Sequence, residues 1–74
     1  MSQIKLERYV EYVIACVSEF ARAHGLTHPD AFDYLETHKG LEFLERHYEA
    51  EHLLSFADAV SDLEIICRKN GGRL

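Results

Sequence analysis

The 74-residue sequence predicts an all-α domain, built as a compact four-helix bundle in which two long helices flank two short ones. Apolar residues recur mostly at three- and four-residue steps, and no segment shows the strict alternation of a half-buried strand. Glycines and capping residues separate the periodic segments, and the chain contains no internal repeat or linker. Residues 1–74 are therefore predicted to form a single domain, with 71–74 as a short C-terminal tail.

The first helix is predicted over about residues 3–24. Ser2 is its predicted N-cap, and Gly25 stands where a left-handed residue commonly ends a helix. Its apolar stripe is formed by residues at helical spacing: Leu6, Val10, Val13, Val17, Phe20 and Ala21.

Two short helices are predicted over about residues 28–39 and 41–50. Thr27 and Asp30 have the spacing of a capping box, and Gly40 is the predicted stop between the two helices. Proline suits the first turn of a helix, where Pro29 stands. The apolar positions that mark the third helix are Leu41, Leu44 and Tyr48.

The last helix is predicted over about residues 56–69. Ser55 and Asp58 repeat the capping-box spacing, and Asn70 with the two following glycines ends the helix. Its apolar face consists of Phe56, Ala59, Val60, Leu63, Ile66 and Cys67. The first and last helices are expected to pack on each other, while the short pair closes the open side of the core.

The cysteines and the apolar runs favour a reduced, cytoplasmic protein. Cys16 and Cys67 are the only cysteines, and both lie in apolar periodic segments, so we expect buried thiols. A disulfide between the first and last helices is the alternative. The sequence shows no signal-peptide pattern, and the apolar run over 13–17 is too short to span a membrane.

The stretch ERHYEAEHLLS, residues 45–55, concentrates histidines and glutamates, but its spacing disfavours a metal site. His47 and His52 are five residues apart, about 140° around a helix, whereas a helical zinc pair needs a spacing of three or four. His24 and His28 are separated by a predicted helix end. We therefore predict no metal and no other cofactor. We expect a helix end, a turn and a cap, with the glutamates facing outward and Tyr48 and a leucine anchoring the stretch.

Catalytic arrangements are also missing from the sequence. It contains no glycine-rich nucleophile elbow and no phosphate-binding loop. Burial among apolar residues would raise the pKa of Cys16 and Cys67 and make both thiols unreactive. We expect that the protein is not an enzyme, and we assign no catalytic residue.

A small DNA-binding regulator is the alternative function, because the two short helices could form a helix-turn-helix. The second of them, however, carries Glu42 and Glu45 and adjoins Glu49, against a single Arg46. A recognition helix of that charge, in a protein of net charge −5, would be repelled by phosphates. We therefore expect no nucleic-acid partner.

The same acidic residues favour a protein-binding surface. Glu42, Glu45 and Glu49 have the spacing of one helical face, which would complement a basic partner. Tyr34 and Tyr48 are candidate aromatic anchors. A solvated face that only keeps the protein soluble is the alternative interpretation.

Some apolar residues remain outside the main stripes. On a chain this small they indicate either self-association, for example as a homodimer, or a wider core. These residues are Tyr12, Leu53, Leu54 and Ile65.

Residues 9–72 resemble a family of small bacterial proteins that is classed as a domain of unknown function. The order and spacing of several short pieces together carry the resemblance. They are Phe20-Ala21, Ala31-Phe32-x-Tyr34-Leu35, Gly40-Leu41-x-Phe43-Leu44, His47-Tyr48, His52, Ala59-Val60 and Ile66-Cys67-x-x-Asn70-Gly71-Gly72.

The resemblance implies a partner but no activity. Genes of this family often lie in short operons beside a larger protein similar to an ADP-ribosyltransferase. That arrangement is similar to toxin–antitoxin or effector–partner pairs, and it implies that the small acidic protein binds the larger one. The family supplies no catalytic or ligand-binding residues.

Overall fold

A computed structural model describes residues 3–74 of the protein, and in this range every regular element is a helix. The five helices are α1 (Gln3–His24), α2 (His28–Thr37), α3 (Gly40–Arg46), α4 (Tyr48–Glu51) and α5 (Phe56–Lys69). The all-α class is confirmed, and α1 and α5 have the bounds that the sequence predicts. The N-cap predicted at Ser2 lies outside the described residues.

Side-chain caps begin α2 and α5 as predicted. The Thr27 hydroxyl accepts the backbone N–H of Asp30 at 3.2 Å, and the Ser55 hydroxyl accepts that of Asp58 at 3.1 Å. Each bond satisfies one of the helix-start donors that have no partner inside the helix. Gly25 ends α1 with a φ of 64°, a left-handed conformation that costs glycine little.

The predicted third helix is wrong in one respect, because it is broken into α3 and α4 at His47. His47 has φ −114° and ψ 22°. Its N–H donates a hydrogen bond to the carbonyl of Phe43 at the C-terminal end of α3. Its own carbonyl then accepts the N–H groups of Ala50 and Glu51. Neither glycine nor proline marks this break. The turn instead lets Tyr48 pack its ring edge-on against α1, so tertiary packing decides where the helix ends.

Gly40 is not the stop that the sequence predicts. The helix α2 ends at Thr37, and the left-handed residue is Lys39, with a φ of 70°. Gly40 is buried at the start of α3, where a Cβ would lie 2.8 Å from Leu35 Cδ2 and 3.2 Å from Cys67 Sγ. Glycine is therefore needed here for close packing of α3 against α2 and α5.

The core lies where α1 meets α2 and α5, with α3 packed on α2 and α5. Cys16 and Cys67 are buried as predicted, and both are free thiols, so the alternative of a disulfide is wrong. The buried apolar residues are Cys16, Val17, Phe20, Ala21, Ala31, Leu35, Leu44, Ala59, Val60, Leu63 and Cys67.

The first half of the apolar face predicted for the first helix is not in the core. Leu6 and Val10 are 50% and 45% exposed, although their spacing continues the buried positions Val17 and Phe20. A 22-residue helix is about 33 Å long, close to the 35 Å length of the whole domain. The bundle is only 22 Å and 21 Å in its other dimensions, so α1 outruns the short helices that should cover it.

Residues 71–74, predicted as a tail, fold back onto the bundle. Gly71 has a φ of 89°, and a Cβ on Gly72 would overlap the Tyr34 hydroxyl. That hydroxyl accepts the backbone N–H of Leu74 at 3.1 Å, and the Leu74 side chain packs against the core. The last four residues are thus part of the packed structure.

Candidate functional site

The acidic residues predicted to bind a partner do not share one helical face. The break at His47 places Glu42 and Glu45 on α3 and Glu49 on α4, although all three are exposed. The Glu42 carboxylate lies 3.3 Å from the Arg46 guanidinium and 3.6 Å from the Lys39 ammonium. Much of the negative charge on α3 is therefore balanced within the same helix and its cap.

The two tyrosines predicted as anchors are occupied within the fold. Tyr34 stacks on Phe20 with 5.5 Å between ring centroids, and its hydroxyl accepts from Leu74. Tyr48 lies edge-on to the rings of Tyr9 and Tyr12, at 5.6 Å and 5.5 Å. Both rings are half-buried, and their visible role is to hold α2 and α4 to the rest of the bundle.

The residues predicted for self-association lie in different places. Tyr12 is half-buried and stacks on Phe56, so it belongs to the wider core that was the alternative. Leu53 and Leu54 are exposed in the turn before α5, with Leu53 77% exposed. Ile65 is 49% exposed and lies on α5, about 15 Å along the helix from its N-cap Ser55. It is therefore well separated from the two leucines.

The histidines are engaged in local contacts. His52 Nδ1 lies 2.8 Å from the carbonyl oxygen of Tyr48, and its ring stacks on the Tyr48 ring. His47 packs on Phe43, and His24 Nε2 lies 2.8 Å from a Glu64 carboxylate oxygen. Within residues 3–74, no three histidine, cysteine or acidic side chains come together as a group that could hold a metal ion.

The stretch ERHYEAEHLLS contains a buried carboxyl group that was not predicted from the sequence. Glu51 is only 6% exposed, so the prediction that the glutamates face outward is wrong for this residue. Its Oε1 and the Tyr12 hydroxyl are buried without a directed hydrogen bond among the described residues. The spacing held a signal, because Glu51 follows Leu44 and Tyr48 at steps of four and three and so continues their inward face.

Burial changes the acidity of the groups around Glu51. Burial, as the largest cause, and the neighbouring carboxyl group of Asp62 together raise the pKa of Glu51 to about 7. Burial likewise raises the pKa of the Tyr12 hydroxyl, which lies beside the Cys16 thiol. The pKa of Cys16 is raised mainly by burial, and that of Cys67 is raised to about 11 for the same reason. Neither thiol is an activated nucleophile.

An apolar groove open to solvent lies between α1 and α2, and we name it the α1–α2 groove. Its volume is about 310 Å³, and Ser18 and His28 are the polar residues in its wall. The groove is lined by Val13, Ile14, Val17, Ser18, His28, Pro29 and Phe32. It continues along α1 into the row Leu6, Val10 and Ile14, which we name the α1 stripe.

Comparison with protein families finds one match, over residues 11–70, to a family described as "Protein of unknown function (DUF3791)". The chain belongs to the DUF3791 family. The match confirms the resemblance to a small domain of unknown function and extends over most of the chain. No curated protein and no solved structure matches this DUF3791 domain.

The matched range of the DUF3791 domain contains the packed core, the buried Glu51 and the lining of the α1–α2 groove. Residues 1–10, which include Leu6 and Val10, and the last four residues lie outside it. Within residues 3–74, no helix is both long and apolar enough to cross a membrane.

Proposed function

We propose that this DUF3791 domain is a non-enzymatic module that acts by binding another protein. One observation carries the proposal, the exposed apolar surface formed by the α1 stripe and the adjoining Phe32. The exposed fractions are 50% for Leu6, 45% for Val10, 61% for Ile14 and 41% for Phe32. With about 200 Å² for each fully exposed residue, these side chains present roughly 400 Å², and contiguous apolar patches of that size often mark interaction sites.

The alternative of a DNA-binding regulator has less support. The candidate recognition helix α3 has seven residues, and its Arg46, like Lys39 at its cap, lies beside Glu42. A DNA-binding surface needs clustered cations that are available to phosphates. An exposed apolar surface on a chain of net charge −5 fits a protein partner better.

The finer part of the proposal concerns the partner. The family resemblance suggests a bacterial, cytoplasmic setting in which this domain is the regulatory or antitoxin-like partner of a larger protein similar to an ADP-ribosyltransferase. The physical support is limited to the binding surface and the acidic charge. The exposed part of α1 offers a face that a larger protein could cover.

Site-specific photo-crosslinking in the native cells tests the proposal. Phe32 is replaced by p-benzoylphenylalanine, and the same amino acid at Ile65, also about half exposed, is the matched control. We expect one discrete cross-linked protein from position 32 and none from position 65. Excess wild-type protein should suppress the product, whereas the Ile14→Ser variant should not. Equal products at both positions, or no discrete product at position 32, would contradict a dedicated binding surface.

A further inference from the structure

Acidic side chains flank the α1–α2 groove and the α1 stripe. On α1, Glu7 and Glu11 precede Val10 and Ile14 by three residues, which places each about 60° around the helix from its apolar neighbour. Both glutamates are exposed. They form a negative edge along one side of the α1 stripe. Further along α1, Ser18 lies on the same side and lines the groove.

The α2 side of the groove is acidic as well. Glu36 follows Phe32 by one helical turn, and Asp33 is the next residue after Phe32. Both carboxylates are exposed. The apolar floor therefore lies between two negative edges, one on each helix.

The cations of α1 do not cancel this charge. Lys5 and Arg8 lie about 140° and 160° around the helix from Val10, on the opposite side from the α1 stripe. Arg22 lies beside Phe56 and Val60 of α5 and is paired with Glu19. The surface is thus apolar in the middle and negative along both edges.

The dimensions of the surface suit a helix. Leu6 and Ile14 are eight residues apart, about 12 Å along α1, which corresponds to two turns of a docked helix. An amphipathic helix fills such a groove with apolar residues at positions i, i+3, i+4 and i+7. We propose that the α1–α2 groove and the α1 stripe bind an amphipathic helix of a partner protein whose apolar stripe is flanked by lysine and arginine. This inference rests on the proposed function and specifies the chemistry of the partner.

A second copy of this chain fits the surface less well. Pairing of two α1 stripes about a two-fold axis at Val10 would bring the acidic edges of both copies together, and like charges at an interface oppose association. Charge therefore favours a basic partner over self-association.

The probes for the test are three synthetic 18-residue peptides. One carries a leucine stripe flanked by lysines, the second has glutamates in place of the lysines, and the third is a scrambled form of the first. Each is titrated into the 74-residue chain by calorimetry at 0.15 M salt. We expect the lysine-flanked peptide to bind at least about tenfold more tightly than the other two. A tenfold difference in affinity corresponds to a few charge-assisted contacts.

Matched variants locate the binding site. Ile14→Ser should weaken binding at least about fivefold, as expected for an apolar interface anchor, and Ile65→Ser should not change it. Replacing Glu7 and Glu11 together by glutamine should weaken binding, whereas the same change at Glu45 and Glu49 should leave it unaltered. Far-UV circular dichroism checks that each variant keeps its helix content.

Each contrary outcome is decisive. Absence of binding by the lysine-flanked peptide at millimolar concentration, or equal losses from the two glutamate pairs, overturns the inference. Loss confined to the Glu45 and Glu49 variant assigns the basic partner to α3 and α4 instead. A dimer in light scattering that Ile14→Ser dissociates assigns the surface to a second copy. If position 32 still cross-links a discrete protein, the proposed function stands and only the chemistry assigned to the partner fails.

Discussion

Replacement of the buried Glu51 by glutamine should stabilise the domain at pH 8 and have little effect at pH 5. The carboxyl is 94% buried beside Asp62, and burial holds its pKa near 7. At pH 8 the folded protein must keep a negative charge in this position, next to another carboxylate. Glutamine has nearly the same shape, carries no charge, and can still donate a hydrogen bond to Asp62.

The size of the effect follows from the pKa. A rise from 4.5 to about 7 corresponds to a ceiling of ~3–4 kcal/mol, because one pKa step is worth about 1.4 kcal/mol. Asp62 is only half-buried, so water screens part of the repulsion. We therefore expect a gain of about 1–2 kcal/mol at pH 8, which would raise the midpoint of thermal unfolding by several degrees in a domain of this size.

The sign of the pKa shift of Glu51 fixes how the stability of the domain changes with pH. Because the pKa of Glu51 is higher in the folded than in the unfolded state, its contribution to stability is fully present below about pH 4.5. That contribution decreases as the pH rises and is lost above about pH 7. The wild-type domain should therefore lose stability between pH 5 and pH 8 through this group, and the Glu51→Gln variant should not.

Urea unfolding followed by circular dichroism at pH 5 and pH 8 measures the effect. Glu49→Gln is the matched control, because Glu49 lies on the same helix α4 but is exposed. All ionisable groups except the substituted one are common to the three proteins, so differences between variants remove their contribution. An identical pH dependence of the unfolding free energy in wild type and Glu51→Gln would refute the assignment.

Two further predictions concern the close packing of Gly40 and the hydrogen bond of Tyr34. Gly40→Ala should destabilise the domain by about 2 kcal/mol, because its Cβ would lie 2.8 Å from Leu35 Cδ2, and overpacking of this kind costs about 1–3 kcal/mol. Gly25→Ala, which meets no neighbouring atom and has only an unfavourable φ, should cost about half as much in the same urea experiment. Tyr34→Phe removes the acceptor of the Leu74 N–H, and should lower the unfolding free energy by about 1 kcal/mol and speed hydrogen exchange at Leu74. Unchanged exchange at Leu74 would show that this bond does not hold the last residues.

Local signals made several helix ends predictable. Thr27, Ser55 and Gly25 act within one turn of their own position, so their chemistry can be read without knowing the fold. The burial of Cys16 and Cys67 followed in the same way from helical periodicity. The structure agrees with the sequence wherever the cause lies within a few residues of the effect.

Predictions failed where distant residues decide the conformation. Gly40 has the local character of a helix stop, but its actual role is contact with Leu35 and Cys67. The exposure of Leu6 and Val10 depends on the short reach of α2, which no pattern within α1 encodes. The α1–α2 groove was missed for the same reason, because its two walls come from different helices.

The stretch ERHYEAEHLLS joins the buried charge to the proposed binding surface. Tyr48 of α4 contacts Tyr9 and Tyr12, and Tyr12 lies about 160° around α1 from Val10. The helix α4 therefore braces α1 from the side opposite the α1 stripe. Glu51, in the same turn of helix, gives this brace a stability that falls as the pH rises through neutrality. The stretch ERHYEAEHLLS, whose conformation was predicted least well from the sequence, thus holds α1 and its exposed apolar face in position.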